Sequence, residues 1–286
     1  MNTPSRPRAT KIICTIGPAT DTSDMLGQLI EAGANVFRLN MSHSKHDWVR
    51  EVVFRIRRKA AELEANVAIL FDLQGPSIRT GDLAEPYHLK KGDTVEIRLG
   101  TAKPELPFST TVNYDGLLQD VQAGHTMVVD NGGILMRIAE VRPDRLICDV
   151  LTEGVFGSRR HINLPGVALR LPALTEKDLA DLAVAVECET DYVAMSFVRD
   201  AAHIAQLREH IDNLGGKAQI VAKIEDQQAV RHIDDIILAA DVIMVARGDL
   251  GIEVSIEELP IIQRRIVRHC HRLGRRCIVA THMPVS

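Results

Sequence analysis

Short apolar runs alternate along the chain with amphipathic segments whose apolar positions recur every three or four residues. The apolar runs predict seven buried strands, at residues 11–16, 36–41, 67–72, 192–197, 219–225, 242–246 and 277–281. The amphipathic segments predict helices, since residues three and four apart share one helical face. Near-continuous apolar strands that alternate with helices are typical of a parallel sheet covered by helices.

Local signals mark the starts of three of these helices. Thr22 or Ser23 is predicted to cap the first helix. Thr175 and Asp178 have the spacing of a capping box ahead of another. Pro260 suits the first turn of a third helix, because proline lacks an N–H that would be unpaired there anyway.

The segment from about residue 81 to residue 163 breaks this alternation. Its apolar positions recur every second residue in four stretches, at residues 94–99, 126–129, 134–138 and 146–150, with turn sequences such as Asn131-Gly-Gly133 between them. This pattern predicts a small β-rich domain. It would be inserted into a main domain made of residues 1–80 and 164–286.

Polar residues follow several of the predicted strands directly, which favours a (β/α)8 TIM barrel whose chemistry lies at the strand C-termini. A doubly wound sheet is the competing topology, but no GxGxxG sequence follows the first strand. About seven strands can be counted before Ser286, so the barrel is expected to be incomplete, with strand edges and apolar surface exposed. The predicted fold is α/β: an incomplete TIM barrel with an inserted small β-barrel lid domain.

The composition argues against a nucleic acid or a membrane as partner of this protein. A formal charge of −4, a pI near 6.3 and only 3% aromatic residues give no reason to expect a nucleic acid or a membrane as partner. Five scattered cysteines without a CxxC predict reduced thiols, with Cys14 and Cys277 buried. No signal peptide or membrane-spanning run is visible, so we expect a soluble cytoplasmic protein.

Two charged triplets give the strongest chemical signal. Lys223-Ile224-Glu225 and Arg247-Gly248-Asp249 each follow a buried apolar run. Lys223 and Glu225 project to the same side, because alternate residues of a strand share a face. Two carboxylates beside an ammonium suit Mg²⁺, which takes further ligands from water and substrate oxygens. Either triplet alone is more often a solvated strand end, so the prediction depends on the two together.

A second constellation lies at the ends of the second and third predicted strands. Arg38, Asn40 and Ser42 alternate on one face, and Asp72 ends the next strand, with Arg79 a little further on. Arginine offers a planar fork to a phosphate, whereas amide, hydroxyl and carboxylate oxygens are hard ligands for a cation. A structural polar residue is the ordinary explanation for any one of them. The site prediction requires that they gather with the charged triplets on one face.

Taken together, these stretches resemble the pyruvate kinase family. The insertion falls where that family carries its lid domain. The matching motifs follow the family's order along essentially the whole chain, at residues 10–18, 38–43, 72–79, 129–132, 163–166, 171–178, 196–199, 223–225, 245–251 and 280–281.

The resemblance implies a phosphotransferase of glycolysis that moves the phosphoryl group of phosphoenolpyruvate to ADP and yields pyruvate and ATP. Glu225 and Asp249 would bind Mg²⁺ (or Mn²⁺), and Lys223 would neutralise charge on the transferring group. The backbone N–H groups of Gly248 and Asp249 would receive the substrate carboxylate. Thr281 would lie near the enolate carbon, on the route that delivers a proton.

The same resemblance implies further binding residues and an oligomer. Arg38 would meet the substrate phosphate, and His43, Arg79 and Arg160 would meet the nucleotide. K⁺ would be held by Asn40, Ser42, Asp72 and the carbonyl of Leu73. Full-length members of the family are homo-oligomers, an expectation that the sequence leaves open for this chain.

Departures from the family's pattern leave alternatives open. Ser77 stands where members commonly have glutamate, in K⁺-dependent forms, or lysine, in K⁺-independent forms. Serine supplies no ammonium, which favours K⁺ dependence. The family's last barrel elements and C-terminal domain are absent from these 286 residues. A catalytically silent fragment or binding module is therefore a rival hypothesis. A Mg²⁺–enolate lyase or aldolase is a weaker rival hypothesis, because such an enzyme would not need Arg79, the strand face that carries Arg38, Asn40 and Ser42, or a β-rich lid.

Overall fold

The computed structural model describes residues 9–280. The strands in this range are β1 (Ile13–Ile16), β2 (Val36–Asn40), β3 (Ala68–Asp72), β4 (Tyr87–Leu89), β5 (Thr94–Arg98), β6 (Ser109–Thr111), β7 (Thr126–Val129), β8 (Ile134–Val141), β9 (Arg145–Val150), β10 (Gly154–Phe156), β11 (Ile162–Asn163), β12 (Tyr192–Met195), β13 (Gln219–Ile224), β14 (Val242–Ala246) and β15 (Arg276–Ala280). The helices are α1 (Ser23–Glu31), α2 (His46–Glu62), α3 (Leu117–Asp120), α4 (Glu176–Glu187), α5 (Ala201–Asn213), α6 (Gln227–Arg231), α7 (Ile233–Ala239), α8 (Arg247–Glu253) and α9 (Leu259–Arg272).

The chain divides into two compact units. The first comprises the chain up to Gly75, Leu174–Ser196 and Ile204–Ala222. The second comprises Pro76–Ala173, Phe197–His203 and the chain from Lys223 onward. Strand β13 begins in the first unit and ends in the second, so Lys223-Ile224-Glu225 belongs to the second unit.

Parallel strands form the sheet of the first unit. Its order is β1-β2-β3-β12-β13, so every strand pairs with the one that follows it among the strands of this sheet. A doubly wound sheet would reverse direction after its first strand, whereas a barrel adds strands in sequence. The predicted α/β fold of the barrel class is therefore confirmed. The register pairs Asn40 with Asp72, which places two of the predicted site residues side by side.

Burial explains why these segments form strands and helices. Phe37, Leu39, Ile69 and Phe71 of β2 and β3 have no exposed surface. Helix α2 buries a stripe of side chains at helical spacing, namely Val49, Val52, Val53, Ile56 and Ala60. The predicted caps are confirmed: Thr22 accepts from the Met25 N–H, and Thr175 with Asp178 forms a capping box.

The second unit contains the β-rich segment. A six-stranded sheet runs β11-β7-β8-β9-β5-β6, and β10 pairs with β4 in a smaller sheet. Both lie within the predicted insertion, whose role as a lid domain stays a prediction. Strands β14 and β15 pair in parallel in this unit. The core of the β-rich segment includes Met127, Met136, Leu146 and Phe156.

Several details differ from the sequence predictions. Strand β1 begins only at Ile13, β8 continues to Val141, and the short strands β4, β6, β10 and β11 were not predicted. Cys14 and Cys277 are partly exposed rather than buried, whereas Cys148 and Cys270 are buried. Among the described residues, β1 pairs only with β2 and β15 only with β14, so each of these strands has a neighbour on one side only. All five cysteines are free thiols, as predicted. No helix among residues 9–280 is long and apolar enough to cross a membrane.

Candidate active site

A buried ion pair lies where β13 ends. The Nζ of Lys223 is 2.9 Å from Oε1 of Glu225. The two side chains project to the same side, as their alternate positions predict. Glu225 is only 2% exposed and Lys223 only 9%. A pair so deeply buried is costly unless its remaining polar atoms are also satisfied.

The second oxygen of Glu225 is satisfied by the backbone of Phe197. The N–H of Phe197 donates to Oε2 of Glu225 at 2.6 Å. Phe197 has a φ of 55°, in the left-handed region that bulky residues rarely adopt. Such strained residues cluster at functional sites, where the surrounding structure holds them. Nothing in the sequence indicated a role for Phe197 beyond its place in the 196–199 motif.

Electrostatics connects Glu225 with Asp249. Burial raises the pKa of Glu225 to about 7, the Lys223 ammonium opposes this rise, and the negative charge of Asp249 adds to it. The negative charge of Asp249 opposes the ionisation of Glu225, and a bound cation would offset this repulsion. The charges of the two triplets therefore act on one another within the second unit, and their joint role as a metal site stays a prediction.

Helix α8 carries Asp249, whose charge acts on Glu225. Strand β14 is buried along its whole length, and α8 begins directly after it at Arg247. Gly248 and Asp249 therefore lie in the first helical turn, where backbone N–H groups lack intrahelical acceptors. The residue before the helix, Ala246, makes no side-chain cap. These N–H groups can receive an anion, as the sequence predicts for the substrate carboxylate.

Residue Glu253, one turn further along α8, was missed by the sequence analysis. Its carboxylate accepts hydrogen bonds from the Asn163 side chain and the Gly166 N–H. Burial, followed by the charge of Asp226, raises its pKa to about 7. Glu253, Asp226 and Glu225 line one cleft of about 280 Å³ together with Phe197. Asn163 and Gly166 were recognised as a motif, but nothing in the sequence indicated a partner 90 residues away.

The two arginines predicted to meet the nucleotide lie on paired backbone segments. The backbones of Arg79 and His161 form an isolated antiparallel β-bridge. The Thr80 N–H donates to the Arg160 carbonyl at 2.9 Å. The Arg160 guanidinium lies 3.2 Å from a carboxylate oxygen of Asp130. Arg79 donates to the Arg159 carbonyl at 3.1 Å. The structure thus brings these two arginines together in the second unit.

His161, which the sequence analysis did not single out, lines the same cleft as Glu225. Its ring centroid is 5.9 Å from that of Phe197. Burial lowers its pKa, and the positive charge of Arg79 adds to this, while Asp249 opposes it. The imidazole is therefore neutral at physiological pH.

The remaining predicted residues lie in the first unit. Arg38 donates from Nε to Asp72 Oδ2 at 2.7 Å and from Nη1 to Thr15 Oγ1 at 2.9 Å. The Asn40 side-chain oxygen accepts from the Ser42 N–H at 3.1 Å. These contacts gather the predicted phosphate and K⁺ residues at the ends of β2 and β3.

The Leu73 carbonyl and His43 also lie in the first unit. The hydroxyl of Ser196 donates to the Leu73 carbonyl oxygen at 2.8 Å, a contact that the sequence did not indicate. A carbonyl oxygen has a second lone pair, so this bond leaves it able to face a cation. His43 is exposed. Thr281 lies outside the described residues.

The donor atoms fit the cations that the sequence analysis expects. The part of the chain that the structure describes holds no group of three or more His, Cys, Asp or Glu side chains arranged for a metal. Mg²⁺ needs no such group, because it is usually held by one or two carboxylates, with water and substrate oxygens completing its shell. Glu225 and Asp249 suit it. The oxygens of Asn40, Ser42, Asp72 and Leu73 suit a monovalent cation.

Fold and site define a barrel protein with a buried lysine–carboxylate site at the end of a parallel strand. The family model described as "Pyruvate kinase, barrel domain" matches residues 7–286, and the chain belongs to that family.

Individual relatives agree with this assignment. Plastidial pyruvate kinase 2 of Arabidopsis thaliana is 40% identical, over 98% of this chain and 48% of its own length. The pyruvate kinase of Clostridium perfringens is 39% identical, over 96% of this chain and 58% of its own. The pyruvate kinase of Staphylococcus aureus (strain MRSA252) is 36% identical, over 96% of this chain and 48% of its own length. The chain spans about half the length of these relatives.

Proposed function

We propose that this chain transfers the phosphoryl group of phosphoenolpyruvate to ADP and releases pyruvate and ATP. The observation that carries the proposal is the Lys223–Glu225 pair, buried where a parallel strand ends and fixed by the strained Phe197 amide. Membership of the pyruvate kinase family supports it. The names of the relatives describe those proteins, and their activity is extended to this chain as a proposal.

The chemistry requires positioning and charge neutralisation more than covalent help from the protein. The bond between phosphorus and the enol oxygen breaks, a bond to the terminal phosphate oxygen of ADP forms, and the enolate carbon takes a proton. Lys223 holds its ammonium in a site from which water is largely excluded. A fixed charge in such surroundings stabilises the transferring phosphoryl group more strongly than one in water.

Glu225 and Asp249 would hold Mg²⁺ (or Mn²⁺), which when bound neutralises negative charge on the phosphoryl oxygens. Ionisation of Glu225 is needed for this, so the ammonium of Lys223 serves the carboxylate as well as the substrate. The N–H groups of Gly248 and Asp249 would receive the substrate carboxylate. Thr281 would serve the route that delivers the proton, as the family resemblance implies.

The proposal also assigns residues to the binding of ADP and K⁺. Arg79, Arg160 and His43 would contact ADP, and Arg38 the substrate phosphate. Arg38 shares its guanidinium between Asp72 and Thr15. Asn40, Ser42, Asp72 and the Leu73 carbonyl would hold K⁺. The cytoplasmic location and a homo-oligomeric state stay predictions.

A catalytically silent member of the family is the second candidate. The chain spans about half the length of its relatives, so their activity is a proposal for this chain. The test is pyruvate formation from phosphoenolpyruvate, ADP, Mg²⁺ and K⁺ by the folded chain. A Lys223→Met variant of equal stability should be inactive. Turnover that survives in Lys223→Met would disprove the assigned role, and a folded wild-type chain without turnover would favour the silent candidate.

A further inference from the structure

The Asp178 carboxylate joins the two points at which the chain leaves and re-enters the first unit. The chain leaves this unit after Gly75 and returns to it at Leu174. Oδ1 of Asp178 accepts from the Gly75 N–H at 2.9 Å. Oδ2 accepts from the Thr175 N–H at 2.8 Å and from the Thr175 hydroxyl at 2.6 Å. One side chain therefore binds both connections to residues 76–173.

Helix capping accounts for only half of this arrangement. A capping box requires one acceptor for the N-cap N–H, and Oδ2 of Asp178 fills that role toward Thr175. The bond from Gly75 to Oδ1 spans 103 residues and contributes nothing to the cap of α4. It needs an explanation of its own.

Burial makes this extra bond hard to replace. Asp178 has no exposed surface, and Gly75 is buried as well. Water cannot take the place of a lost partner in such surroundings, so an unpaired N–H would bear its full desolvation cost. Gly75 has a φ of 70°, which a side chain would strain, so the turn that presents its N–H depends on glycine.

We propose that Asp178 is a positioning residue that holds both connections of the segment 76–173 in place. This inference rests on the proposed function, in which Arg79 and Arg160 of that segment contact the nucleotide. Asp178 is distant in sequence from both arginines and acts through the backbone at Gly75 and Thr175. Its loss should weaken ADP binding more than phosphoenolpyruvate binding, because Arg79 follows Gly75 by only four residues, whereas Lys223 and Gly248 are far in sequence from both connections.

Hydrogen exchange of the Gly75 amide tests the proposal directly, and it does not depend on activity. In Asp178→Ala we expect this amide to exchange at least roughly tenfold faster, as loss of a hydrogen bond to a charged group predicts. Thr175→Val weakens the same cap but spares Oδ1, so Gly75 should stay protected. Thr22→Ala, which removes the cap of α1, controls for a general loss of stability.

Two outcomes would overturn the proposal: unchanged Gly75 exchange in Asp178→Ala, or equal acceleration in Thr22→Ala. If Asp178→Ala does not fold, Asp178→Asn replaces it. The single carbonyl oxygen of asparagine can serve one connection only, so either Gly75 or Thr175 must then lose protection.

ADP titration of the same variants separates this inference from the proposed function. We expect Asp178→Ala to bind ADP several-fold more weakly than the wild-type chain, with phosphoenolpyruvate binding little changed. Equal ADP affinity in Asp178→Ala and wild type would refute the positioning role. A wild-type chain that binds neither ligand would refute the proposed function itself, whatever the exchange result.

Discussion

The backbone N–H of Phe197 lies 2.6 Å from Oε2 of Glu225, while Oε1 of the same carboxylate lies 2.9 Å from Lys223 Nζ. Glu225 is thus held on one side by a strained backbone and on the other by a charge. This arrangement fixes the direction in which the carboxylate can meet a cation. It also ties the protonation of Glu225 to the presence of Lys223.

Lys223→Met should abolish phosphoryl transfer, with a fall in kcat of roughly a thousandfold or more, because a fixed charge at the transition state is lost. Mg²⁺ binding should largely survive at pH 8 and weaken toward pH 6, since loss of the ammonium raises the pKa of Glu225 further. Pyruvate formation and Mg²⁺ titration measure the two effects. Lys217→Met, an exposed lysine before β13, is the matched control. Retained turnover in Lys223→Met would contradict the role given to this residue.

Glu225→Gln should weaken divalent-cation binding by roughly a hundredfold or more, as expected when a direct ligand is removed. Mn²⁺ serves as the probe, because its paramagnetism reports binding without catalysis. Asp249→Asn should have a similar effect, whereas Glu257→Gln, at an exposed carboxylate, should have none. Wild-type Mn²⁺ affinity in both Glu225→Gln and Asp249→Asn would place the metal elsewhere.

Glu253 should make the stability of the chain pH-dependent. Its pKa is about 7 in the folded protein, compared with the ordinary value of 4.5 for a glutamate. Between these values the folded state binds one more proton than the unfolded state, so the contribution of Glu253 to stability is largest below pH 4.5 and is lost as the pH rises through 7. The contribution is on the order of 2–3 kcal/mol.

Denaturant unfolding at pH 5 and pH 7.5 measures this effect. Glu253→Gln should lose less stability than the wild-type chain over that interval, because its amide does not titrate. Glu257→Gln should behave as wild type. Identical pH dependence in Glu253→Gln and wild type would show that Glu253 does not retain its proton.

Replacement of K⁺ by Na⁺ or tetramethylammonium should reduce turnover. Ser77 supplies no ammonium, and the oxygens of Asn40 and Asp72 lie next to one another in the β2–β3 register. Steady-state rates at constant ionic strength provide the measurement. Undiminished rates without K⁺ would show that Ser77 belongs to a K⁺-independent site.

The sequence predicted those parts of the fold that depend on local pattern. Apolar runs identified the strands of the parallel sheet, and the Thr175–Asp178 spacing identified a capping box. Short strands such as β4 and β10, of three residues each, were missed because three residues are too few to show a period of two. The burial of Cys14 was wrongly predicted, because an apolar run does not reveal which strand ends the sheet.

For the site, the sequence supplied residue types but not partners. It paired Lys223 with Glu225 because alternate residues of a strand share a face. It could not predict that the Phe197 N–H donates a hydrogen bond to Glu225. Nearly every residue has a backbone N–H, and only the backbone geometry turns this one toward the carboxylate. The same holds for the Leu73 carbonyl, which accepts from the Ser196 hydroxyl, and for the Gly166 N–H at the Glu253 carboxylate. Contacts of backbone atoms between distant segments leave no compositional signal.

The proposed phosphotransferase activity depends on the Lys223–Glu225 pair. The most direct test is a coupled assay of the purified, folded chain with phosphoenolpyruvate, ADP, Mg²⁺ and K⁺ that follows pyruvate. We predict turnover in the wild-type chain that is absent from Lys223→Met. A folded wild-type chain that forms no pyruvate, or a Lys223→Met variant that forms it at the wild-type rate, would contradict the account.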